Sequence, residues 1–171
     1  MHFDTIIVGQ GISGTFLSYY QYKENRSFIV VDNNDKHSPS RIAAGIINPV
    51  TGRRMVTVWM ADEVLPFAWN AYQEIGTELN ITAISQKNII DFFPNPFMRE
   101  NFLKRLGEAN EYLRSISNPE QWQPYFNYDF GCGEIQPVYT AHLETVLPAW
   151  RKKLKDDGVL LEQDFDLKTG R

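Results

Sequence analysis

The stretch DTIIVGQGISGTFLSYY, residues 4–20, joins a β-branched run to three glycines at a fixed spacing. The run Thr-Ile-Ile-Val at residues 5–8 is typical of a buried β-strand. Gly9, Gly11 and Gly14 then follow in the pattern GxGxxG. In a phosphate-binding turn the first glycine allows the bend and the second lets the backbone approach a pyrophosphate, while the third lets a helix pack against the strand.

The residues after the glycines complete this unit. Apolar residues recur at helical spacing over residues 12–20, so the N–H groups that begin the predicted helix would face the anion. The next apolar run, residues 28–31, closes on Asp32. A carboxylate there can accept a hydrogen bond from an adenosine ribose, and it repels the 2′-phosphate of an NADP-type ligand. The order fits a βαβ unit of about 30 residues and predicts a dinucleotide-binding turn.

Two simpler interpretations remain open at this stage. The glycines could form an ordinary turn of an α/β domain, because GxGxxG alone is weak evidence. Asp32 could be an ordinary residue at the end of a strand, although the glycines before it favour the ribose role.

Composition excludes several classes of protein. The chain has 171 residues, of which 43% are hydrophobic and 22% charged, as in a globular protein of one domain or a little more. A net charge of -4 gives no electrostatic reason to bind nucleic acid or an anionic membrane. No apolar run approaches the ~20 residues of a membrane span. The single cysteine, Cys132, and three scattered histidines predict neither a disulfide nor a metal site, and we expect a cytoplasmic location.

The rest of the chain alternates between helical and extended patterns. In chain order the sequence predicts a loop over 33–40, a helix over 59–79, a strand over 88–93, an amphipathic helix over 98–115, short strands with tight turns over 118–137, a helix over 140–156, a strand over 159–162 and the start of another strand at 165. This last strand has no return strand before a hairpin-like end at 169–171. We therefore expect the front part of a longer protein, with uncovered strand surfaces that favour self-association.

These residues resemble FAD-dependent oxidoreductases of the D-amino-acid oxidase and glycine oxidase type. The glycine turn with Asp32 is shared with many flavin and NAD proteins. The Ser/Ala/Gly-rich segment 40–49, which ends in apolar residues and proline, is more specific. Residues 133–167 are similar to a strand, proline, helix, glycine and strand of that family.

The resemblance implies an α/β fold in which a Rossmann-type FAD-binding domain is joined to part of an inserted α+β substrate domain. The FAD-binding domain would cover 1–80 and 138–171, and the substrate domain 81–137. The implied function is oxidation of a small-molecule amine or amino acid by hydride transfer to flavin N5, with no nucleic-acid partner. The alternatives are an oxidoreductase of another FAD or NAD class and a dinucleotide-binding fragment without catalysis.

The predicted site is a cofactor site without a metal. By the resemblance, the segment after Ser40 passes the pyrophosphate and the ribityl chain, and a backbone contact near the end of the chain reaches the adenine. No catalytic acid, base or nucleophile is predicted. In chain order the cofactor-binding residues are Gly9, Gly11, Ile12, Ser13, Gly14, Asp32, Asn33, Ser40, Ala43, Ala44, Gly45, Ile46 and Leu167.

Three further features have a functional and a simpler interpretation. Arg53 and Arg54 could reach a phosphate or a substrate acid, but a solvated pair is the expectation. The aromatic residues over 122–130 could line a substrate pocket, but a sheet core is the expectation. Cys132 could attach a flavin covalently, but a small buried residue in a turn is the expectation.

Overall fold

A computed structural model describes residues 2–108 and 110–166, so the predicted contact at Leu167 and the hairpin tip at 169–171 lie outside the described residues. The helices are α1 (Ile12–Lys23), α2 (Pro39–Ile42), α3 (Ala61–Leu79), α4 (Pro96–Gly107), a short 3₁₀ helix (Pro119–Trp122) and α5 (Leu143–Asp156). The strands are β1 (Thr5–Val8), β2 (Phe28–Val31), β3 (Ile46–Ile47), β4 (Val50–Thr51), β5 (Val56–Thr57), β6 (Ile84–Gln86), β7 (Ile89–Phe92), β8 (Leu113–Arg114), β9 (Cys132–Ile135), β10 (Tyr139–Ala141) and β11 (Leu160–Leu161).

The chain divides into two compact units. The first contains residues 1–45, 72–83 and 142–171, and the second contains 46–71 and 84–141. Residues 46–71 belong to the second unit, and the predicted domains, 1–80 with 138–171 and 81–137, stay a prediction. The identification of either unit with a cofactor or substrate domain stays a prediction.

The first unit contains a parallel sheet in the order β1–β2–β11. β2 is central, and all four of its residues are buried. Trp150 of α5 is fully buried and donates from Nε1 to Ser18 Oγ of α1 at 2.8 Å. The predicted strand–helix–strand order over residues 5–31 is confirmed, and α1 ends at Lys23.

β1 differs from β2 in exposure. Ile7 is buried, but Ile6 and Val8 on the opposite face are 60% and 54% exposed. Alternate residues of a strand point to opposite faces, so one face of β1 presents apolar side chains to solvent. Self-association through this surface stays a prediction.

The second unit contains antiparallel pairings only among its described strands. Its sheets have the orders β3–β10–β6, β4–β5 and β7–β9–β8. Phe102 of α4 is buried in its core, and a Cβ built on Gly133 of β9 would lie 2.1 Å from the Phe102 ring. Gly133 thus leaves the space that the ring fills. The buried core residues of this unit are Val50, Met55, Ala61, Leu65, Phe93, Phe102, Tyr112, Leu113, Ile135 and Val138.

The predicted helix over 98–115 is wrong in its last turns. α4 ends at Gly107, and Leu113–Arg114 form a strand that pairs with β9. The side chain of Asn110 accepts the Tyr112 N–H at 3.0 Å, so a local turn replaces the helical hydrogen bonds. Apolar residues at helical spacing here belong to a turn and a strand, since Leu113 is fully buried in the core.

The segment 118–137 also differs from its prediction. It forms the 3₁₀ helix and one strand, β9, instead of several short strands. Tyr125 is 75% exposed. Phe126 is half exposed, and its ring centroid lies 4.8 Å from that of Phe92. The expected sheet core is therefore wrong for these two aromatic residues.

Candidate functional site

Each of the three glycines of the turn is required for a different structural reason. Gly9 has φ +90°, a conformation that favours glycine. A Cβ on Gly14 would lie 1.8 Å from the Gly9 carbonyl oxygen, so α1 packs against the turn only without a side chain there. These are the roles that the sequence assigns to the first and third glycines.

Ser40 reaches the start of α1. A Cβ on Gly11 would lie 2.7 Å from Ser40 Oγ, and the Ile12 N–H donates to the same oxygen at 3.0 Å. The N–H groups of Ser13 and Gly14 also belong to the first turn, where helix geometry provides no acceptor. The turn therefore offers backbone donors beside a position that a side chain would block.

The Asp32 carboxylate follows β2 and is fixed by donors on both oxygens. Oδ2 accepts the Gln10 N–H at 2.8 Å, and Oδ1 accepts the Asn34 N–H at 2.9 Å together with Arg151 Nη1 at 2.5 Å. Arg41 Nη2 lies 3.6 Å from Oδ1. Burial raises the pKa of Asp32, but these hydrogen bonds outweigh it and hold the pKa below its ordinary value.

Gln10 and Arg151 form a buried polar network that sequence reasoning missed. The Gln10 side chain is fully buried and donates from Nε2 to Thr15 Oγ1 and to the Leu147 carbonyl, both at 3.0 Å. Arg151 is 6% exposed, and besides Asp32 it contacts Gln10 Oε1 at 3.3 Å and Glu162 Oε1 at 2.8 Å.

A sequence signal for Arg151 exists. The apolar face of α5 includes residues 147 and 154, and an arginine at 151 falls four residues after the first and three before the second. Those spacings place a charged side chain on the buried face of a helix. A charge at such a position needs a partner of opposite charge, which is Asp32.

A cleft of about 210 Å³ opens at the carboxyl ends of β1 and β2. Ligands of parallel α/β sheets bind at this end of the strands. Asn33 Nδ2 donates to Asp164 Oδ1 at 2.7 Å across the cleft's rim. The lining residues are Val8, Gly9, Val31, Asp32, Asn33, Gln163, Asp164 and Phe165.

The structure does not bring the whole predicted site into this cleft. Ala43, Ala44 and Ile46 are exposed, and neither they nor Gly45 line it. The lining also lacks five other predicted residues: Gly11, Ile12, Ser13, Gly14 and Ser40. Gly45 has φ +70°, so the segment turns sharply before β3. A role for these residues therefore stays a prediction.

The groups around the turn match the adenosine diphosphate half of FAD. Backbone N–H groups at a helix start suit a pyrophosphate. Each carboxylate oxygen has two lone pairs, and among the described residues Asp32 Oδ2 accepts the Gln10 N–H alone, which leaves one for a ribose hydroxyl. The residues present therefore fit this group.

Arg53 and Arg54 are exposed, as expected, whereas Cys132 lies in a strand and not in the turn that the sequence predicts. Cys132 is partly buried in β9, and burial raises the pKa of its thiol, which disfavours a reactive thiolate. Arg53 and Arg54 are exposed on the turn between β4 and β5. Over residues 2–108 and 110–166 no group of three or more His, Cys, Asp or Glu could hold a metal ion. No helix in the same part of the chain is long and apolar enough to cross a membrane.

Comparisons with known proteins give likeness in structure alone. No protein-family model matches the sequence, and no curated protein does so. Glycine oxidase from Geobacillus kaustophilus superposes with a TM-score of 0.75 at 16% identity, covering 96% of this chain and 48% of that one. L-amino acid deaminase from Proteus myxofaciens gives 0.68 at 12% identity, covering 93% and 37%.

A third solved structure carries a cofactor. L-alpha-glycerophosphate oxidase from Mycoplasma pneumoniae with FAD bound superposes with a TM-score of 0.54 at 16% identity, covering 94% of this chain and 45% of that one. The chain thus spans 37% to 48% of the length of these three proteins. At these identities the chain shares their fold over its length.

Proposed function

We propose that this chain is the FAD-binding part of a flavin-dependent oxidoreductase, with the first unit as a Rossmann-type domain. One observation carries the proposal: the Asp32 carboxylate is fixed at the carboxyl end of β2, on the wall of a cleft that also contains Gly9. Asp32 Oδ2 accepts a hydroxyl of the adenosine ribose. The FAD bound in the glycerophosphate oxidase of the same fold supports this choice of cofactor.

The start of α1 binds the pyrophosphate. The N–H groups of Ser13 and Gly14 donate to it, and the absence of a side chain at Gly11 lets Ser40 Oγ lie close beside this turn. Ser40 holds the Ile12 N–H and so fixes the first turn. From the resemblance we extend the site to Asn33, to the segment 43–46 and to Leu167.

The bound flavin supplies a hydride acceptor at N5. This chain's described residues bind and orient the nucleotide half, and none of them is assigned an acid–base step. The second unit is part of the substrate domain in this proposal. The whole protein oxidises an amine or amino acid, as the names of the glycine oxidase and the L-amino acid deaminase suggest. The glycerophosphate oxidase supports a second candidate, oxidation of a polar alcohol.

Titration of FAD into the purified chain, followed by flavin fluorescence, tests the cofactor. We expect FAD to bind and ADP to compete with it, while FMN, NAD and NADP bind more weakly. Preferential binding of NAD would assign the chain to another class. Absence of binding by every nucleotide would remove the first unit as a nucleotide site.

A pair of glycine variants tests the turn. Gly11→Val places a branched side chain against Ser40 Oγ, which holds the Ile12 N–H at the proposed pyrophosphate site, so we expect a folded variant without measurable FAD binding. Gly107→Val is the matched control, because nothing lies within 4 Å of a Cβ built there. Full FAD affinity in a folded Gly11→Val variant would show that the turn is not the site.

A further inference from the structure

The guanidinium of Arg151 joins separate parts of the first unit. Arg151 is 6% exposed, and its Nη1 donates to Asp32 Oδ1 and lies 3.3 Å from Gln10 Oε1. Nη2 donates to Glu162 Oε1 at 2.8 Å and lies 3.3 Å from the Asp32 carbonyl oxygen. The planar fork of an arginine can make these contacts together, whereas the ammonium group of a lysine is a single point of charge.

Arg151 decides which acceptor position of the Asp32 carboxylate stays free. Each carboxylate oxygen offers two lone pairs. Arg151 and the Asn34 N–H together occupy both on Oδ1, so these two donors fix the plane of the carboxylate. Arg41 Nη2, at 3.6 Å from Oδ1, adds positive charge but lies beyond hydrogen-bond distance. The free lone pair among the described residues is therefore on Oδ2.

Gln10 carries the same arrangement into the glycine turn. Its Nε2 donates to the Leu147 carbonyl, which can only accept, so Oε1 is the end of the amide that faces Arg151. The backbone N–H of Gln10 donates to Asp32 Oδ2. Arg151 thus holds one oxygen of Asp32 directly and contacts the residue that holds the other.

We propose that Arg151 is a positioning residue of the cofactor site, which orients the Asp32 carboxylate so that Oδ2 accepts the ribose hydroxyls of the cofactor. This inference rests on the proposed function. A purely structural role for Arg151 predicts that its removal weakens the binding of every nucleotide equally. A positioning role predicts a selective loss of the contribution of the ribose hydroxyls.

Two nucleotides that differ only in those hydroxyls provide the test. ADP and 2′,3′-dideoxy-ADP are titrated by calorimetry into the 171-residue chain without FAD, and the ratio of their dissociation constants is compared between variants. We expect the parent to bind ADP about tenfold or more tightly, as for a charged hydrogen bond. Equal binding of the two nucleotides by the parent would overturn the ribose role of Asp32 and the positioning role with it, while FAD binding would stand. A parent that binds neither FAD nor ADP would overturn the proposed function itself.

Two variants of Arg151 test the positioning role. Arg151→Met should lower the preference for ADP to about twofold or less, because nothing then fixes the plane of Asp32. Arg151→Lys keeps the charge but not the fork, and its preference should lie between those of the parent and Arg151→Met. An unchanged preference in folded Arg151→Lys would overturn the proposal, and this variant decides even if Arg151→Met fails to fold.

Two controls separate position from charge and from helix stability. Arg41→Gln removes a positive charge near Asp32 without removing a hydrogen bond to it, so the preference for ADP should stay within about twofold of the parent's. Leu154→Ala truncates a buried side chain of α5 three residues from Arg151, which should lower stability and leave the preference unchanged. An equal fall of the preference in either control would overturn the assignment to Arg151.

Discussion

Asp32 and Asp91 are both partly buried aspartates associated with β-strands, yet the pKa values of their carboxyl groups move in opposite directions. Burial raises the pKa in both cases. Around Asp32, two backbone N–H groups and Arg151 donate to the carboxylate and lower the pKa below its ordinary value. Around Asp91 the described residues supply no such donor, and the effect of burial remains.

The difference shows that donors, and not depth alone, decide which form of a carboxyl group the fold favours. The first unit provides its own partners for Asp32 and keeps the carboxylate ionised and oriented. The second unit provides no such partner for Asp91 among the described residues. Each of the following changes alters one side of this contrast.

Removal of Arg151 should have the largest effect. Arg151→Met keeps the length of an apolar stem but leaves Asp32 and Gln10 without their buried partner. We expect a loss of about 3 kcal/mol in the free energy of unfolding, as for breaking a buried ion pair. Urea unfolding at neutral pH measures it.

The matched control is Lys155→Met. Lys155 contacts Glu162, which also contacts Arg151, but the side chains of Lys155 and Glu162 are nearly half exposed. We expect a change of less than about 1 kcal/mol for this surface pair. Equal losses in the two variants would mean that Arg151 has no special role beside Asp32.

Neutralisation of the two aspartates should have a smaller and unequal effect. Asp32→Asn removes the charge that accepts three donors, and we expect a loss of about 1.5 kcal/mol, the low end for charged hydrogen bonds because the cleft admits solvent. Asp91→Asn should stay within about 0.5 kcal/mol of the parent. Thermal and urea unfolding at pH 7 compare them, and a larger loss for Asp91→Asn would reverse the contrast.

The pH dependence should be the most subtle difference and has opposite signs at the two residues. A carboxyl group whose pKa is lowered in the folded state stabilises the fold at pH values above its unfolded pKa of about 3.9. This stabilisation is lost as the pH falls through the pKa of the folded state. The deficit of Asp32→Asn should therefore shrink in acid. Asp91, with a raised pKa, costs stability as pH rises above about 3.9. Asp91→Asn should remove that decline.

Unfolding free energies at a series of pH values, each compared with the parent, measure these differences. A deficit of Asp32→Asn that stays constant down to the acid limit of folding would contradict the lowered pKa. A parent and an Asp91→Asn variant with parallel curves would contradict the raised one.

Local patterns predicted the first unit well. The β1–α1–β2 order depends on contiguous residues, and the positions of Gly9, Gly14 and Asp32 follow from that order. The helix over 98–115 failed because periodicity cannot distinguish a helix from a turn followed by a buried strand when Asn110 supplies the hydrogen bond that ends the helix. The exposure of Tyr125 depends on tertiary packing, which a local sequence pattern does not predict.

The polar partners were beyond local patterns because they come from distant parts of the chain. Arg151 lies 119 residues after Asp32. The Leu147 carbonyl, which accepts a hydrogen bond from Gln10, lies 137 residues after Gln10. Only the folded chain shows that these groups meet. The same holds for Arg53 and Asp91, which line one cleft of the second unit although neither residue belongs to a motif.

The contact between Gly133 and the Phe102 ring has a consequence for sequence divergence. Because a Cβ at 133 would occupy the volume of the ring, the two positions share one space. Gly133→Ala alone creates a clash, Phe102→Leu alone leaves a gap, and the pair should compensate each other in part. In related chains we therefore expect a side chain to be gained at position 133 together with a smaller residue at 102, as an exchange of volume between strand and helix.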